Sequence, residues 1–220
     1  MLILIPALLL FLTALAITVL QIMRPDFRFT WLTAVGGALL AWICVLLWQS
    51  NMPLSFNFLA WRPSNLFSES PALSVDTLIW PYALSLATLA ISILLTASVD
   101  ETFPGAFAWA GSLTLCALGL LAITSANPLT LALAWAALDL TELIIMLRSV
   151  SGSAANERVV VSFSARAFGI AILIWANVVT AASGKGFDFS TLPSQAGLFL
   201  LIAAGFRLGV LPLHLPYQTD

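Results

Sequence analysis

The stretch NPLTLALAWAALDLTELIIMLR, residues 127–148, is long and apolar enough to cross a bilayer, which takes about 20 such residues. It nevertheless carries two carboxylates inside the apolar run, Asp139 and Glu142. An ionisable side chain at bilayer depth costs roughly 2.5–3.5 kcal/mol on insertion scales, so it needs a polar partner, a hydrated cavity or a proton. The stretch therefore predicts a membrane helix whose two acids face the interior of a helix bundle.

The composition of the whole chain agrees with a membrane protein. Of its 220 residues, 61% are hydrophobic and only 8% are charged, whereas soluble domains carry about 25% charged residues. This excludes a soluble globular protein. The formal net charge of −2 provides no basic surface for nucleic acid. The expected partners are the lipid bilayer and, as the resemblance described below implies, other integral membrane subunits.

Seven stretches of the chain meet or approach the length of a spanning helix. The first is expected to be a membrane helix rather than a signal peptide, because it lacks a positive n-region and Arg24 and Arg28 follow it. We therefore predict an all-α, polytopic transmembrane helix bundle of about seven helices, forming a single membrane domain over residues 1–220. The stretches are Met1–Met23, Phe29–Gln49, Asp76–Val99, Phe103–Thr124, Asn127–Leu147, Val159–Ser183 and Gln195–Pro212.

The connectors between these stretches are short except for Ser50–Val75, which contains Trp61 and Phe67 and is expected to lie at the membrane interface. Basic residues at the helix ends predict the orientation. More of them follow helices one, three and five than helices two, four and six, which places the N-terminus outside. The first set is Arg24, Arg28, Arg148 and Arg158, and the second is Arg62 and Lys185.

The sequence predicts no cofactor and no metal on this chain. Cys44 and Cys116 both lie in apolar runs, where free cysteine usually acts as a small packing residue. A single histidine without a Cys/His cluster does not suit a zinc, haem or iron–sulfur site.

Helix five places Trp135, Asp139 and Glu142 at spacings i, i+4 and i+7, so the three side chains share one face. Burial favours the protonated acid, and a nearby cation favours the carboxylate. Two interpretations follow: a proton-carrying or charge-coupling site, and a structural ion pair.

Buried basic residues on the following helices are the candidate partners of these acids. Arg166 on helix six either extends to the cytoplasmic surface or pairs with Glu142. Arg207 on helix seven is expected to pair with Asp139, because an unpaired charge at this depth is costly.

Helix seven is expected to break near Pro212, where proline removes a backbone donor. The freed carbonyls need protein or water, which suggests a hydrated cavity. His214 beside the break titrates near neutral pH when unperturbed. It is either a proton-relay residue or an interfacial residue that caps the broken helix.

Three local patterns resemble the antiporter-like membrane subunits of respiratory complex I, which are related to multisubunit cation/proton antiporter subunits. Helix three opens with an aspartate in LSVDTLIWPYALSL, here Asp76. In helix five, seven residues separate Asn127 from Trp135. In helix seven, GFRLGVLPLH places Arg207, Pro212 and His214 at the family's offsets for its basic residue, proline and histidine. The order of the helices and the step Gly186–Phe189 also fit.

The chain departs from this family at two functional positions. The family's glutamate after tryptophan falls on Ala136, so Asp139 one turn later or Glu142 would take its place. The family's lysine is Arg207, which in proteins does not give up its proton. Family members have about fourteen helices in two inverted repeats. We therefore expect residues 1–220 to be a split subunit or part of a longer one, with helices one to three in residues 1–99 and an incomplete first repeat in 103–220.

The resemblance implies a proton-translocating membrane subunit, or fragment, of a complex I-type quinone oxidoreductase assembly that carries no redox centre itself. Its proton path would comprise Asp139, Glu142, Arg166, Arg207 and His214. A non-pumping structural subunit is the alternative. A third possibility is the related subunit of a cation/proton antiporter or inorganic-carbon uptake complex. The expected location is a bacterial inner membrane.

Overall fold

Helices make up most of the structure, a computed structural model that describes residues 1–25, 29–58, 70–97, 105–149, 153–182, 189 and 194–210. These residues form seven α-helices and two short β-strands, which confirms the all-α helical bundle. The helices are α1 (Ile5–Met23), α2 (Thr30–Trp48), α3 (Ile79–Thr96), α4 (Ala106–Ile123), α5 (Pro128–Ser149), α6 (Ser153–Ala182) and α7 (Ser194–Arg207), and the strands are β1 (Leu54–Asn57) and β2 (Ala72–Val75).

Six of the described helices, α1 to α6, are long and apolar enough to cross a membrane. The chain is therefore an integral membrane protein, as its composition predicts. The last helix, α7, is apolar but has only 14 residues, a length of about 21 Å at 1.5 Å per residue. It is shorter than the hydrocarbon thickness of about 30 Å.

The helix α7 ends earlier than the sequence predicted, and a glycine explains why. Gly209 adopts a positive φ of 70°, a conformation that residues with a Cβ rarely reach. The N–H of Gly209 donates to the carbonyl of Phe206 at 3.3 Å, and the N–H of Val210 donates to that of Gly205 at 3.0 Å. These two bonds form a Schellman motif, which closes a helix C-terminus. Pro212 and His214 lie outside the described residues.

The long connector Ser50–Val75 contains a two-stranded sheet of β1 and β2 that the sequence analysis did not predict. The strand segment LSFN alternates between partly buried and exposed residues over four positions only, which is too short a run to distinguish a strand in the sequence. Beyond the sheet, the N–H of Ser74 donates to the carbonyl of Thr124 at 2.8 Å, which ties β2 to the end of α4. Trp61 and Phe67 of this connector lie outside the described residues.

The chain divides into two compact units. The first comprises Met1–Phe56 and Leu73–Thr124, and the second comprises Asn57–Ala72 and Ser125–Asp220. In the first unit, α1 packs against α2 and α4, and α3 packs against the same two helices. Many of its buried positions are alanine, which lets membrane helices approach closely.

Tryptophan side chains add polar links within the first unit. The indole N–H of Trp31 on α2 donates to the carbonyl of Leu94 on α3 at 2.8 Å. In the opposite direction, Trp80 on α3 donates to the carbonyl of Val45 on α2 at 2.9 Å. Because buried indole N–H groups need an acceptor, these bonds hold α2 and α3 in a defined register.

In the second unit, α6 packs against both α5 and α7. The N-terminus of α5 is held by Asn127, whose Oδ1 accepts hydrogen bonds from the backbone N–H of Thr130 at 2.9 Å and from its hydroxyl at 2.7 Å. The amide of Asn127 donates to the carbonyl of Ser70 at 2.7 Å. Pro128 follows at the first position of the helix, where a missing N–H is tolerated. This capping fixes the start of the helix that carries the two acids.

Candidate functional site

Asp139 lies in the middle of α5, about 17 Å from Pro128 along the helix axis, and is only 1% exposed. It belongs to the face of α5 that also carries Trp135 and Glu142, both partly buried. Leu140, the next residue along the helix, is 54% exposed. The rotation of α5 therefore turns the acids inward and the leucine outward, as the helical spacing predicted.

The predicted pair between Asp139 and Arg207 is present. Nη1 of Arg207 donates a hydrogen bond to Oδ1 of Asp139. Arg207 is the last residue of α7, and its side chain is 19% exposed. Removing one partner of such an ion pair strongly destabilises the folded protein, because the other charge is left buried alone.

Arg166 on α6 does not extend to the surface: it pairs with Glu142, one of the two alternatives that the sequence left open. Its Nη1 donates a hydrogen bond to Oε2 of Glu142. In addition, its Nε lies 3.7 Å from Oδ1 of Asp139. One guanidinium therefore contacts both acids of α5.

The four side chains form a row of alternating charge, which we call the charge row: Arg207, Asp139, Arg166 and Glu142. Two guanidinium groups and two carboxylates give a net charge of zero, so the row as a whole can be buried at lower cost than any member alone. Arg207 and Glu142 stand at its ends, with side chains 19% and 30% exposed. Asp139 occupies the buried interior.

The two carboxylate oxygens of Asp139 have different surroundings. Oδ1 accepts the hydrogen bond from Arg207 and faces Nε of Arg166. Oδ2 is buried and has no hydrogen-bond partner among the described residues. An unsatisfied buried carboxylate oxygen is costly, and in a native protein it calls for an explanation such as a catalytic role, stored strain, or a bound water or ion.

Trp135 is part of the site in a way that the sequence analysis missed. The Cζ atom of Arg207 lies 5.3 Å from the centroid of the Trp135 ring, within the distance of a cation–π contact. The signal was present in the sequence, since Trp135 precedes Asp139 by four residues and Arg207 was already assigned to Asp139. Because Trp135 lies one turn from Asp139 on the same helix face, a base that pairs with Asp139 can also contact its ring.

The close packing of α6 and α7 positions the two arginines. A Cβ atom on Gly169 would lie 3.1 Å from the carbonyl oxygen of Ala203 and 3.2 Å from Cβ of Phe206. Gly169 is one turn from Arg166, and Phe206 is adjacent to Arg207. The rings of Phe168 and Phe206 also meet edge to face at 5.1 Å. The small residue thus allows the approach that brings both guanidinium groups to α5.

The other residues that the sequence singled out do not belong to the charge row. Asp76 is exposed, and its Oδ1 accepts the backbone N–H groups of Leu78 and Ile79 at 2.9 and 2.8 Å where α3 begins. Cys44 and Cys116 are free thiols within the first unit. Across the described ranges, no three His, Cys, Asp or Glu side chains converge as metal ligands.

Comparison with known proteins shows a similarity of fold. No family model matches the chain, and no curated protein does. Solved structures do match, among them a chain of the membrane-bound sulfane sulfur reductase, an archaeal respiratory membrane complex, with a TM-score of 0.68 and 14% sequence identity. The match covers 90% of this chain and 33% of that one, so this chain spans about a third of the length of the protein it resembles.

Proposed function

We propose that this chain is an antiporter-like, proton-translocating membrane subunit, or part of one, in a respiratory membrane complex of the complex I type. The observation that carries the proposal is Asp139, a carboxylate in the middle of a membrane helix, with one oxygen held by Arg207 and the other without a hydrogen-bond partner in the described part of the chain. The fold shared with a chain of an archaeal respiratory membrane complex supports the same class of assembly.

In this proposal Asp139 is the proton-carrying group. Oδ1 stays with Arg207, and Oδ2 is the oxygen that accepts and releases the proton. Arg207 supplies a permanent positive charge because arginine does not deprotonate in proteins. Protonation of Asp139 would leave the charge row with a net charge of +1, because the carboxylate of Glu142 then balances only one of the two guanidinium groups.

Glu142 is the second proton-carrying group of the proposal. It is the more exposed of the two acids, and Arg166 contacts both of them. A change of protonation at either acid therefore alters the attraction that the other acid feels toward the same guanidinium. His214 continues the path beyond Arg207 in this proposal, as the spacing after helix seven predicted.

A non-pumping structural subunit is the second candidate. The pairing itself favours it, because Asp139 and Glu142 each contact an arginine and the charge row is neutral as it stands. Ala136 at the family's glutamate position points the same way. A third possibility is the related subunit of a cation/proton antiporter or inorganic-carbon uptake complex, which would contain the same charge row. The identity of the neighbouring chains distinguishes such a complex from one of the complex I type.

The deciding experiment replaces Asp139 by asparagine in the intact complex, reconstituted in sealed vesicles with a pH-sensitive dye. Asparagine keeps the shape but carries no titratable proton. We expect Asp139→Asn to lower proton translocation per turnover to near the uncoupled level while the complex still assembles. Asp139→Glu should retain part of the activity, and Leu140→Ala, on the exposed side of the same helix, should behave as the wild type.

The result that contradicts proton transfer through Asp139 is an assembled Asp139→Asn complex that translocates protons at the wild-type rate. The charge row would then be a structural clamp, and the second candidate would hold.

The arrangement in the membrane is part of the proposal. We place the N-terminus on the outer side of a bacterial inner membrane and regard residues 1–220 as one membrane domain. Residues 1–99 would hold helices one to three, and residues 103–220 an incomplete first repeat. Arg148 near the end of α5 and Arg158 near the start of α6 are exposed, which supports this orientation, because cytoplasmic residues near helix ends are often basic.

A further inference from the structure

The indole ring of Trp135 gives Arg207 a second neighbour on α5. The Cζ atom of the guanidinium lies 5.3 Å from the ring centroid, and a hydrogen bond joins Nη1 to Asp139. Trp135 and Asp139 are four residues apart, so they occupy successive turns of one helix face. The guanidinium is thus held by a carboxylate and an aromatic face of the same helix.

These two contacts differ in how they respond to a proton. When Asp139 takes up a proton, its negative charge is lost and its attraction for Arg207 weakens. Arg207 itself stays charged. The attraction between a cation and an aromatic ring comes from the quadrupole of the ring, which has no titratable group and does not change.

We propose that Trp135 is a positioning residue that holds the Arg207 guanidinium beside Asp139 while the acid is protonated. The inference rests on the proposed function, since it needs a state in which Asp139 carries a proton. Without the ring, Arg207 would be free to turn away from the neutral acid, and its charge would no longer be in place to stabilise the carboxylate when the proton leaves.

A packing role alone makes a different prediction. Trp135 also packs against the apolar cluster of the second unit, which includes Ala132, Leu173 and Ala203. If the ring only filled space there, any change that preserves its shape would be harmless. A cation–π contact depends instead on the electron density of the ring.

The test therefore changes the electrons of the ring and keeps its shape. Tryptophans with one, two and three fluorine atoms are incorporated at position 135 in the intact complex, and proton translocation per turnover is measured in sealed vesicles. We expect a stepwise decrease with each added fluorine, roughly tenfold over the series. The same series at Trp175, which is 57% exposed on α6, serves as the control and should have no effect.

A second measurement asks whether Trp135 acts through Arg207. Trp135→Leu is combined with Arg207→Met, and Trp135→Phe is the conservative variant. We expect Phe to restore most of the activity that Leu loses, and Trp135→Leu to add no further loss once Arg207 is Met. Equal activities of the Phe and Leu variants, or additive losses in the double variant, would overturn the inference.

The two proposals fail in different ways. A flat fluorine series, together with an Asp139→Asn complex that does not translocate protons, refutes the role of Trp135 and leaves the proposed function intact. An Asp139→Asn complex with normal translocation refutes the proposed function itself.

Discussion

The ion pair between Asp139 and Arg207 makes a quantitative prediction about stability that does not depend on function. Asp139→Asn keeps the size of the side chain and removes its charge, so Arg207 loses the anion that Nη1 contacts. Breaking a buried pair costs about 3–5 kcal/mol. Because the Arg207 side chain is 19% exposed and is therefore not fully buried, we expect a loss near the lower limit, about 3 kcal/mol.

The opposite single change, Arg207→Met, should be at least as harmful. It leaves the carboxylate of Asp139, only 1% exposed, with the more distant Nε of Arg166 at 3.7 Å. The double variant Asp139→Asn, Arg207→Met contains no unpaired charge at these two positions. We expect it to recover most of the loss, because replacing a buried pair by neutral groups is often close to neutral.

The free energy of unfolding of the four proteins can be measured by steric trapping in lipid bicelles, and the double-mutant cycle gives the coupling energy. We expect a coupling of about 2 kcal/mol or more. Leu140→Ala, on the exposed side of α5, is the control for the manipulation and should be near neutral. If the loss in the double variant equals the sum of the single losses within about 0.5 kcal/mol, the two residues do not form the pair on which the site depends.

Three further predictions follow from the second unit. Gly169→Ala should destabilise the chain by about 1–2 kcal/mol, because overpacking against the backbone of α7 costs about 1–3 kcal/mol and the gain in helix propensity offsets only about 0.5–1 kcal/mol. Its control is Gly197→Ala, where no described atom apart from the chain neighbours and the backbone of the same helix lies within 4 Å of the added Cβ. Thermal denaturation in detergent should show this control to be neutral or stabilising. Asn127→Ala should cost about 1–2 kcal/mol through loss of the α5 cap, and hydrogen exchange at the first turn of α5 should rise while α6 is unaffected. Glu142→Gln should lower the free energy of unfolding less than Asp139→Asn does, because the Glu142 side chain is 30% exposed. Equal losses for the two variants would contradict the conclusion that Asp139 is the more deeply buried acid.

The fold class follows from the sequence because it depends on local composition. The apolar stretches predicted α1 to α6 because a segment of about 20 apolar residues has its lowest free energy in the bilayer as a helix. Two predictions at the ends of such stretches were less accurate. The connector before α3 forms the β1–β2 sheet, whose short strands carry too few residues for a clear period. The seventh stretch ends at Arg207, since the Gly209 turn closes α7 before Pro212 is reached.

Helical spacing alone predicted that the two acids of α5 share one face of the helix. The cost of exposing them to lipid predicted that this face points into the bundle. Asp139 and Glu142 share a face because of the 3.6-residue period, and the cost of burial predicted basic partners. The sequence also indicated Arg207 as the partner of Asp139. It left Arg166 between two alternatives, since a long side chain near a helix end can reach either water or a neighbouring helix.

The sequence by itself determined that the chain lies in a membrane and that its acids must find partners there, because both follow from the transfer free energies of the residues. The tertiary structure decided which charges meet. Arg166 reaches Glu142 across 24 residues of chain, and Arg207 reaches Asp139 across 68. Such contacts depend on which helices are neighbours, how each is rotated, and how closely Gly169 lets α6 and α7 approach. The shared role of Arg166 and the ring of Trp135 over Arg207 arise only from that packing.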